Sequence, residues 1–183
     1  MSLCGVERTL PFIPISDTLA FASFVILGDT ELVSAVAPAL AEKIGKVDAV
    51  VTAEAKGIAL AYEVSRQLGL KEFIVARKST KSYMRNVVSA SVHSITTQGE
   101  QHLYLDGADA DKIRGKNICI IDDVISTGES LNALNVLVES AGANVVCRAA
   151  VLAEGDAADR SDIVFLQKLP LFNKVSEGEY EQI

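Results

Sequence analysis

Two adjacent carboxylates, Asp122 and Asp123, follow the apolar run of residues 118–121. A short apolar run bounded by polar residues is typical of a strand buried on both faces of a parallel sheet, so we expect the acids where that strand ends. A turn rich in hydroxyl groups, residues 126–130, comes next and precedes a helical apolar pattern. Free N–H groups and the positive end of a helix dipole make such a turn an anion site. The sequence therefore predicts a phosphate site beside two acids.

The pairing of acids with a phosphate site restricts the ligand. Two carboxylates repel a phosphate unless they bind another part of the same molecule, such as a vicinal diol, or a bound metal ion. A sugar phosphate meets both demands. The alternative interpretation is that Asp122 and Asp123 only cap the turn that follows their strand.

Residues 119–130 resemble the phosphoribosyl-diphosphate (PRPP) signature of type I phosphoribosyltransferases. The resemblance implies that Asp122 and Asp123 bind the ribose hydroxyls. It implies that the turn binds the 5′-phosphate through Ser126, Thr127, Gly128, Glu129 and Ser130. Glu129 stands where many members have Gly, so its side chain is expected to point away from the phosphate. Ser126 stands where some members carry a third Asp used toward oxopurines, which favours adenine over hypoxanthine or guanine.

A second strand, loop and helix is predicted earlier in the chain, and a basic segment follows it. The loop resembles the diphosphate-binding loop of purine phosphoribosyltransferases, and the segment resembles the cations that grip diphosphate in the adenine and xanthine enzymes. No acidic residue occurs from Phe73 to Gly99, so the segment is locally positive in an acidic chain and suits a polyanion. The predicted diphosphate site comprises Ala53, Glu54, Ala55, Lys56, Gly57, Arg77, Lys78, Lys81 and Tyr83. Arg77 and Lys81 are also predicted to be catalytic, with Asp122 and Asp123.

The resemblance also implies a hood over the base, from about residues 1–28 and 160–183, and a flexible loop within residues 78–103. Base-pocket candidates are Phe24, Val25, Leu27, Val124, Lys168 and Leu169. Residues 91–96 are similar in spacing to a segment of the xanthine enzyme, which makes xanthine the second choice of base. Adenine enzymes often carry a loop Glu that is absent here. His93 is an alternative acid or base, although a lone His is more often structural.

Composition limits the class of protein. The chain has 183 residues, of which 49% are hydrophobic and 22% charged, and this suits a single domain over residues 1–183. A net charge of −7 argues against nucleic-acid binding. The three cysteines show no metal-ligand spacing and suit a reducing cytoplasm. The apolar residues 19–27 are too short to span a membrane, and no signal peptide is recognised.

These observations predict an α/β fold with a central parallel sheet flanked by helices, as in type I phosphoribosyltransferases. The function implied by the resemblance is purine salvage by transfer of phosphoribosyl from PRPP to a purine, with adenine favoured and xanthine next. Mg²⁺ is expected to arrive with PRPP and to reach Asp122, Asp123 and Glu54 through water, without direct protein ligands. A homodimer is expected. The alternative function is a regulatory protein that binds PRPP without turnover.

Overall fold

Five parallel strands form the central sheet of the protein, in the order β11-β10-β9-β5-β6. The computed structural model describes residues 1–14, 16–93, 100–176 and 179–182. The strands are β1 Ser2–Leu3, β2 Val6–Glu7, β3 Phe12–Pro14, β4 Leu19–Ala22, β5 Ala49–Ala53, β6 Ile74–Ala76, β7 Val88–His93, β8 Glu100–Leu105, β9 Asn117–Ile125, β10 Asn144–Glu154, β11 Val164–Leu169, β12 Leu171–Ser176 and β13 Glu179–Gln182. The helices are α1 Thr30–Ile44, α2 Ile58–Gln67, α3 Gly107–Ile113 and α4 Glu129–Ser140.

Apolar side chains bury both faces of the parallel sheet, as the apolar runs of its strands predict. One core cluster joins the sheet to α3, α4 and the β7–β8 hairpin, and includes Ile120 and Leu134. The other joins the sheet to α1 and α2, and includes Ile121 and Leu40. The alternation along β9 thus sends successive isoleucines to opposite layers. The predicted α/β class, with helices on both faces, is confirmed.

Strand β9 is longer than its apolar run and contains both acids, which corrects the expectation that Asp122 and Asp123 follow its end. Pairing with β5 stops at Ile120, whereas pairing with β10 continues to Ile125. Among the described residues, one side of β9 therefore has no strand partner from Asp122 onward, although the backbone stays extended. This one-sided pairing holds the two acids in a regular geometry and leaves space beside them.

A second, antiparallel sheet, here called the small sheet, has the order β13-β12-β4-β3. It joins segments from both ends of the chain, and Leu171 of β12 pairs with Phe21 of β4. Pro14 is tolerated because β3 lies at the edge of the sheet. These pairings show that the early segment contributes β3 and β4 to a sheet.

Helix α1 is capped by Asp29, whose carboxylate accepts the N–H of Leu32 at 3.0 Å. It ends at Gly45. Pro38 does not split the helix, which is continuous on both sides of it. The carboxylate of Asp29 also pairs with Arg8, at 2.7 Å from Nε to Oδ2. Arg8 thereby connects the β1–β2 segment to the start of α1.

Replacing Asp29 with Ala is expected to lower the free energy of unfolding by about 1–2 kcal/mol, because the helix cap is lost. The bond to Arg8 lowers the pKa of Asp29 to about 2. Its contribution should therefore be complete above about pH 4 and decline as pH falls toward 2. Urea denaturation across this range tests the prediction, with Glu31→Ala as the control for an exposed partner of Arg8. An equal loss from both variants would contradict it.

A hairpin follows the basic segment and consists of β7 and β8, which pair antiparallel from Val88 with Leu105 to His93 with Glu100. Residues 94–99, which include part of the segment likened to the xanthine enzyme, lie outside the described residues. The predicted role of His93 stays a prediction. Across the part of the chain that the structure describes, no helix is long and apolar enough to cross a membrane.

Candidate active site

A cavity of about 430 Å³ lies at the carboxyl ends of the parallel strands, where loops leave the sheet. Three features meet there: the acid pair of β9, the loop after β5 and the end of β4 in the small sheet. The lining residues are Phe21, Ala22, Phe24, Ala53, Glu54, Ala55, Lys56, Lys78, Asp122, Asp123, Val124, Ser126, Ser130, Glu154 and Leu169. The cavity therefore joins segments that are far apart in the sequence.

Asp123 is the more deeply buried of the two acids, with 1% of the residue exposed. Its Oδ1 accepts the N–H of Val124 at 3.0 Å and lies 3.4 Å from Nζ of Lys56. Its Oδ2 is buried and has no hydrogen-bond partner among the described residues. Since an unpaired buried oxygen is costly, a ligand hydroxyl that reached this atom after a small shift of the side chain would stabilise it.

Asp122 lies beside Asp123 and accepts the N–H of that residue at Oδ1, at 2.8 Å. Burial and then repulsion by Asp123 raise the pKa of Asp122 to about 7, and the charge of Lys56 opposes this shift. The two neighbouring carboxyls thus differ in environment, and Asp122 holds its proton more readily than a free Asp. A ligand that donates hydrogen bonds to Asp122 would favour its charged form.

Replacing Asp122 with Asn is expected to change how stability depends on pH. Between about pH 4 and 7 the folded protein retains a proton that the unfolded chain has lost, so stability falls as pH rises. The variant should therefore gain roughly 2–4 kcal/mol of unfolding free energy relative to wild type across this window. Its amide oxygen can still accept the N–H of Asp123. Chemical denaturation at several pH values measures this, and a difference independent of pH would contradict it.

The turn predicted to bind phosphate connects β9 to α4 and surrounds a recess of about 50 Å³. The recess is lined by Asp122, Val124, Ile125, Ser126, Thr127, Gly128, Glu129, Ser130 and Leu131. Gly128 precedes α4 in a left-handed conformation, with φ of 82°. A Cβ there would lie 2.6 Å from Nη1 of Arg160, so Gly suits the position for two reasons.

Arg160 was not predicted as a site residue, although its guanidinium approaches the turn. Its Nε and Nη2 donate to the carboxylate of Asp162 at 2.9 and 2.8 Å. The sequence gives no local signal for this, because Arg160 follows a short 3-10 helix in the segment between β10 and β11. The contact places a positive charge beside a turn that carries Glu129.

The loop of residues 53–57 leaves β5 and leads into α2. The carboxylate of Glu54 accepts the backbone N–H of Lys78 at 3.1 Å and lies 3.7 Å from Nε of Arg77. These bonds fix the loop against the start of the basic segment. Lys56 and Lys78 both line the cavity, so two positive charges face its interior beside the loop amides. An anion with several charges fits this side of the cavity.

Gly57 is packed more tightly than the other residues of its loop. An added Cβ would overlap Oγ1 of Thr52 and lie 3.4 Å from both Oδ1 of Asp122 and the carbonyl of Ile121. The hydroxyl of Thr52 is buried and unpaired among the described residues. Gly57 therefore lets the loop approach the acid pair closely, which is how it contributes to the site without lining the cavity.

Several residues predicted for the site do not line the cavity. Among the base-pocket candidates, Val25 and Leu27 are 54% and 47% exposed. Lys168 is not among the residues that line the cavity, whereas its neighbour Leu169 is. Lys81 donates to Oγ of Ser79 at 2.8 Å, and Tyr83 is 61% exposed. Among the described residues of the basic segment, Lys78 alone lines the cavity.

Three lining residues were absent from the predicted site: Phe21, Ala22 and Glu154. Phe21 and Ala22 belong to β4, whose pairing partner lies near the other end of the chain. Glu154 ends β10 after a run of buried residues, 149–153. An acid directly after an apolar strand is the same signal that identified Asp122, and it could have identified Glu154 as well.

The described residues contain no group of three or more His, Cys, Asp or Glu side chains arranged to hold a metal ion. The carboxylates of Glu54, Asp122 and Asp123 nevertheless line one cavity. Oxygen atoms of this kind suit a hydrated Mg²⁺, which keeps several water ligands and uses few from protein. A divalent cation bound by a phosphorylated ligand would therefore find compatible neighbours here.

Comparisons with known proteins agree on one family. A family model described as a phosphoribosyl transferase domain matches residues 29–180. HGPRTase-like protein 3 of Haloterrigena turkmenica is 34% identical over 88% of this chain and 87% of its own length. A xanthine phosphoribosyltransferase of Clostridioides difficile is 31% identical over 73% of this chain and 72% of its own length. Relatives whose names specify different purine bases are thus similar to this chain in sequence.

A solved structure shows the same fold. Adenine phosphoribosyltransferase from Thermoanaerobacter pseudethanolicus superposes with a TM-score of 0.71, covering 87% of this chain and 95% of its own. The two sequences are 23% identical, so this likeness concerns architecture. The parallel sheet with its flanking helices is therefore shared with that structure.

Proposed function

The chain belongs to the phosphoribosyl transferase family, within its purine enzymes, and we propose that it transfers the phosphoribosyl group of PRPP to adenine. The observation that carries this proposal is the single cavity in which a buried acid pair adjoins both the turn of residues 126–130 and the loop of residues 53–57. PRPP has a ribose diol between a 5′-phosphate and a diphosphate. The three features match its three parts.

In the proposed reaction a purine nitrogen bonds to C1 of PRPP while the bond from C1 to the diphosphate breaks. The diphosphate leaves with the bonding electrons, and the proton lost by the purine passes to the departing diphosphate or to water. Asp122 and Asp123 accept hydrogen bonds from the ribose hydroxyls. Their charge also stabilises the positive charge that develops on the ribose in an oxocarbenium-like transition state. The unpaired Oδ2 of Asp123 supports this role, because a ribose hydroxyl that reached it after a small shift of the side chain would remove the cost of an unpaired buried oxygen. The turn of residues 126–130 would hold the 5′-phosphate through its amides and hydroxyls.

The leaving diphosphate would bind to the 53–57 loop with Lys56 and Lys78, which face the cavity. Arg77 and Lys81 are proposed to join them when the segment of residues 78–103 closes and excludes water. We also propose that Glu54, Asp122 and Asp123 contact a hydrated Mg²⁺ brought by PRPP. When bound, such an ion lowers the charge of the leaving diphosphate.

Adenine is proposed as the base, with xanthine as the second choice. Ser126 supports adenine, because it lacks the carboxylate that some oxopurine enzymes use at this position. The apolar wall of Phe21, Phe24 and Leu169 suits a flat purine ring. Relatives that act on different bases match this chain similarly, so the base must be measured.

The direct test is release of diphosphate from Mg²⁺-PRPP with adenine, xanthine, hypoxanthine and guanine supplied separately. Adenine is expected to give the highest kcat/KM, with AMP as the product identified by chromatography. Highest turnover with another purine would keep the reaction and replace the base. Tight binding of PRPP by calorimetry with no turnover of any base would overturn the proposed reaction.

Several further expectations also stay proposals. We propose a homodimer, which sedimentation equilibrium would report as twice the mass of one chain. An exposed apolar depression lined by residues that include Leu27, Tyr62 and Phe73 supports such contact. A cytoplasmic location, and the absence of nucleic-acid and membrane partners, stay predictions from composition. The hood over the base, from about residues 1–28 and 160–183, is proposed to include the small sheet.

A further inference from the structure

Glu154 occupies the side of the cavity opposite the predicted diphosphate site. In the sheet order β11-β10-β9-β5-β6, the loop after β5 and Lys78 after β6 lie on one side of the acid pair. Glu154 ends β10 and pairs in register with Leu169 at the end of β11, on the other side. The cavity thus runs across the sheet edge, with Asp122 and Asp123 in its middle.

This arrangement fixes where a base must approach, given the proposed function on which this inference rests. A nucleophile attacks C1 from the face opposite the leaving group, since the reacting orbitals must align. With the diphosphate near Lys56 and Lys78, the base comes from the β10–β11 side. There it meets Phe24, Leu169 and Glu154.

Glu154 is the one ionisable group among the lining residues on that side, which are Phe21, Ala22, Phe24, Val124, Ser126, Glu154 and Leu169. Its carboxyl makes no hydrogen bond within the described residues, although it is half-buried. Burial raises the pKa of Glu154, and the charge of Lys56 acts in the opposite direction. A half-buried acceptor without a donor gains from a ligand that supplies one.

We propose that Glu154 recognises the base by accepting a hydrogen bond from the exocyclic amine of that base. It thereby selects a 6-aminopurine over a 6-oxopurine. An amine donates to a carboxylate oxygen. A carbonyl oxygen at the same position offers only lone pairs, which a carboxylate repels. A site built to accept a hydrogen bond discriminates well, because the wrong base leaves its buried acceptor unpaired.

The test compares adenine with hypoxanthine, which differ at this edge of the ring. Glu154→Gln adds an amide donor that can serve a carbonyl oxygen. It is expected to lower the adenine-to-hypoxanthine ratio of kcat/KM by about tenfold to a hundredfold. Glu154→Met removes the acceptor and should lower the ratio as well. Both bases are assayed with the same enzyme variant and the same PRPP. A general loss of activity therefore lowers both values of kcat/KM and leaves their ratio unchanged.

Glu54→Gln is the matched control, since it makes the same acid-to-amide change on the diphosphate side. It should lower kcat/KM equally for adenine and hypoxanthine, and so leave the ratio of the two kcat/KM values unchanged. The ratio of dissociation constants for AMP and IMP, measured by calorimetry, gives a second readout that needs no turnover and should shift in the same direction for Glu154→Gln.

Unchanged ratios in both Glu154 variants, by kinetics and by nucleotide binding, would overturn this inference while leaving the proposed function intact. Absence of turnover in wild type with every base would instead reject the proposed function. In that case the AMP-to-IMP ratio still decides whether Glu154 reads the base: a shift supports it, and no shift rejects it.

Discussion

Replacement of Asp123 by Asn is expected to lower kcat/KM for PRPP by about a hundredfold to a thousandfold, the usual effect of losing one preorganised electrostatic group. The carboxylate is almost fully buried, one oxygen is held by Val124 and Lys56, and the other has no hydrogen-bond partner among the described residues. The amide has no charge to stabilise a developing cation. Its NH₂ group must also take the place of one of the two acceptor oxygens.

The matched control is Asp111→Asn, which makes the same chemical change at an exposed position on α3. It should leave steady-state kinetics at the wild-type values. Circular dichroism and thermal melting of both variants separate loss of catalysis from loss of structure. If folded Asp123→Asn keeps more than about a tenth of wild-type kcat/KM, the proposed role of this carboxylate is rejected.

Gly57→Ala is expected to impair both stability and activity. The backbone conformation at Gly57 is right-handed, with φ of −77°, so Ala meets no conformational penalty there. Its methyl group would instead overlap the hydroxyl of Thr52. Overpacking of this kind lowers the free energy of unfolding by about 1–3 kcal/mol. Because Asp122 is also close, the displaced loop should reduce PRPP binding.

A double-mutant cycle with Thr52→Ala isolates this contact. Thr52→Ala removes an unpaired buried hydroxyl and makes space, so the double variant should recover most of the stability and PRPP affinity that Gly57→Ala loses. Urea denaturation and calorimetric titration with PRPP provide the measurements. Additive losses in the double variant would show that the Thr52 contact is not the cause.

The parallel sheet was predictable because most of its strands contain a continuous apolar run that local composition reveals, as in β5, β6 and residues 118–121 of β9. The acids of the site were predictable for the same reason, since they interrupt such a run at Asp122. Their inclusion in β9 was not, because it depends on pairing with β10 on one side only. A single sequence reports the apolar pattern of a strand and not which of its edges is paired.

The wall on the β10–β11 side was predicted only in part. Phe24, Val124 and Leu169 were expected at the base and line the cavity, whereas Val25 and Leu27 are exposed. Phe21 enters the site because β4 pairs with β12, a contact between distant segments that periodicity cannot detect. Glu154 carried a local signal, but its position in the cavity depends on the order of strands in the sheet.

The pairing of β4 with β12 also determines when the site is completed during synthesis. Strand β4 ends at Ala22 and its partner β12 begins at Leu171, so among the described strands the early β3–β4 hairpin has no further partner until residue 171 has been synthesised. An isolated two-stranded hairpin is marginally stable. We therefore expect a chain emerging from the ribosome to form the segments proposed to bind phosphate groups before it forms the wall proposed to receive a base. Premature arrest of translation would leave fragments that carry the proposed anion sites and lack the proposed base wall.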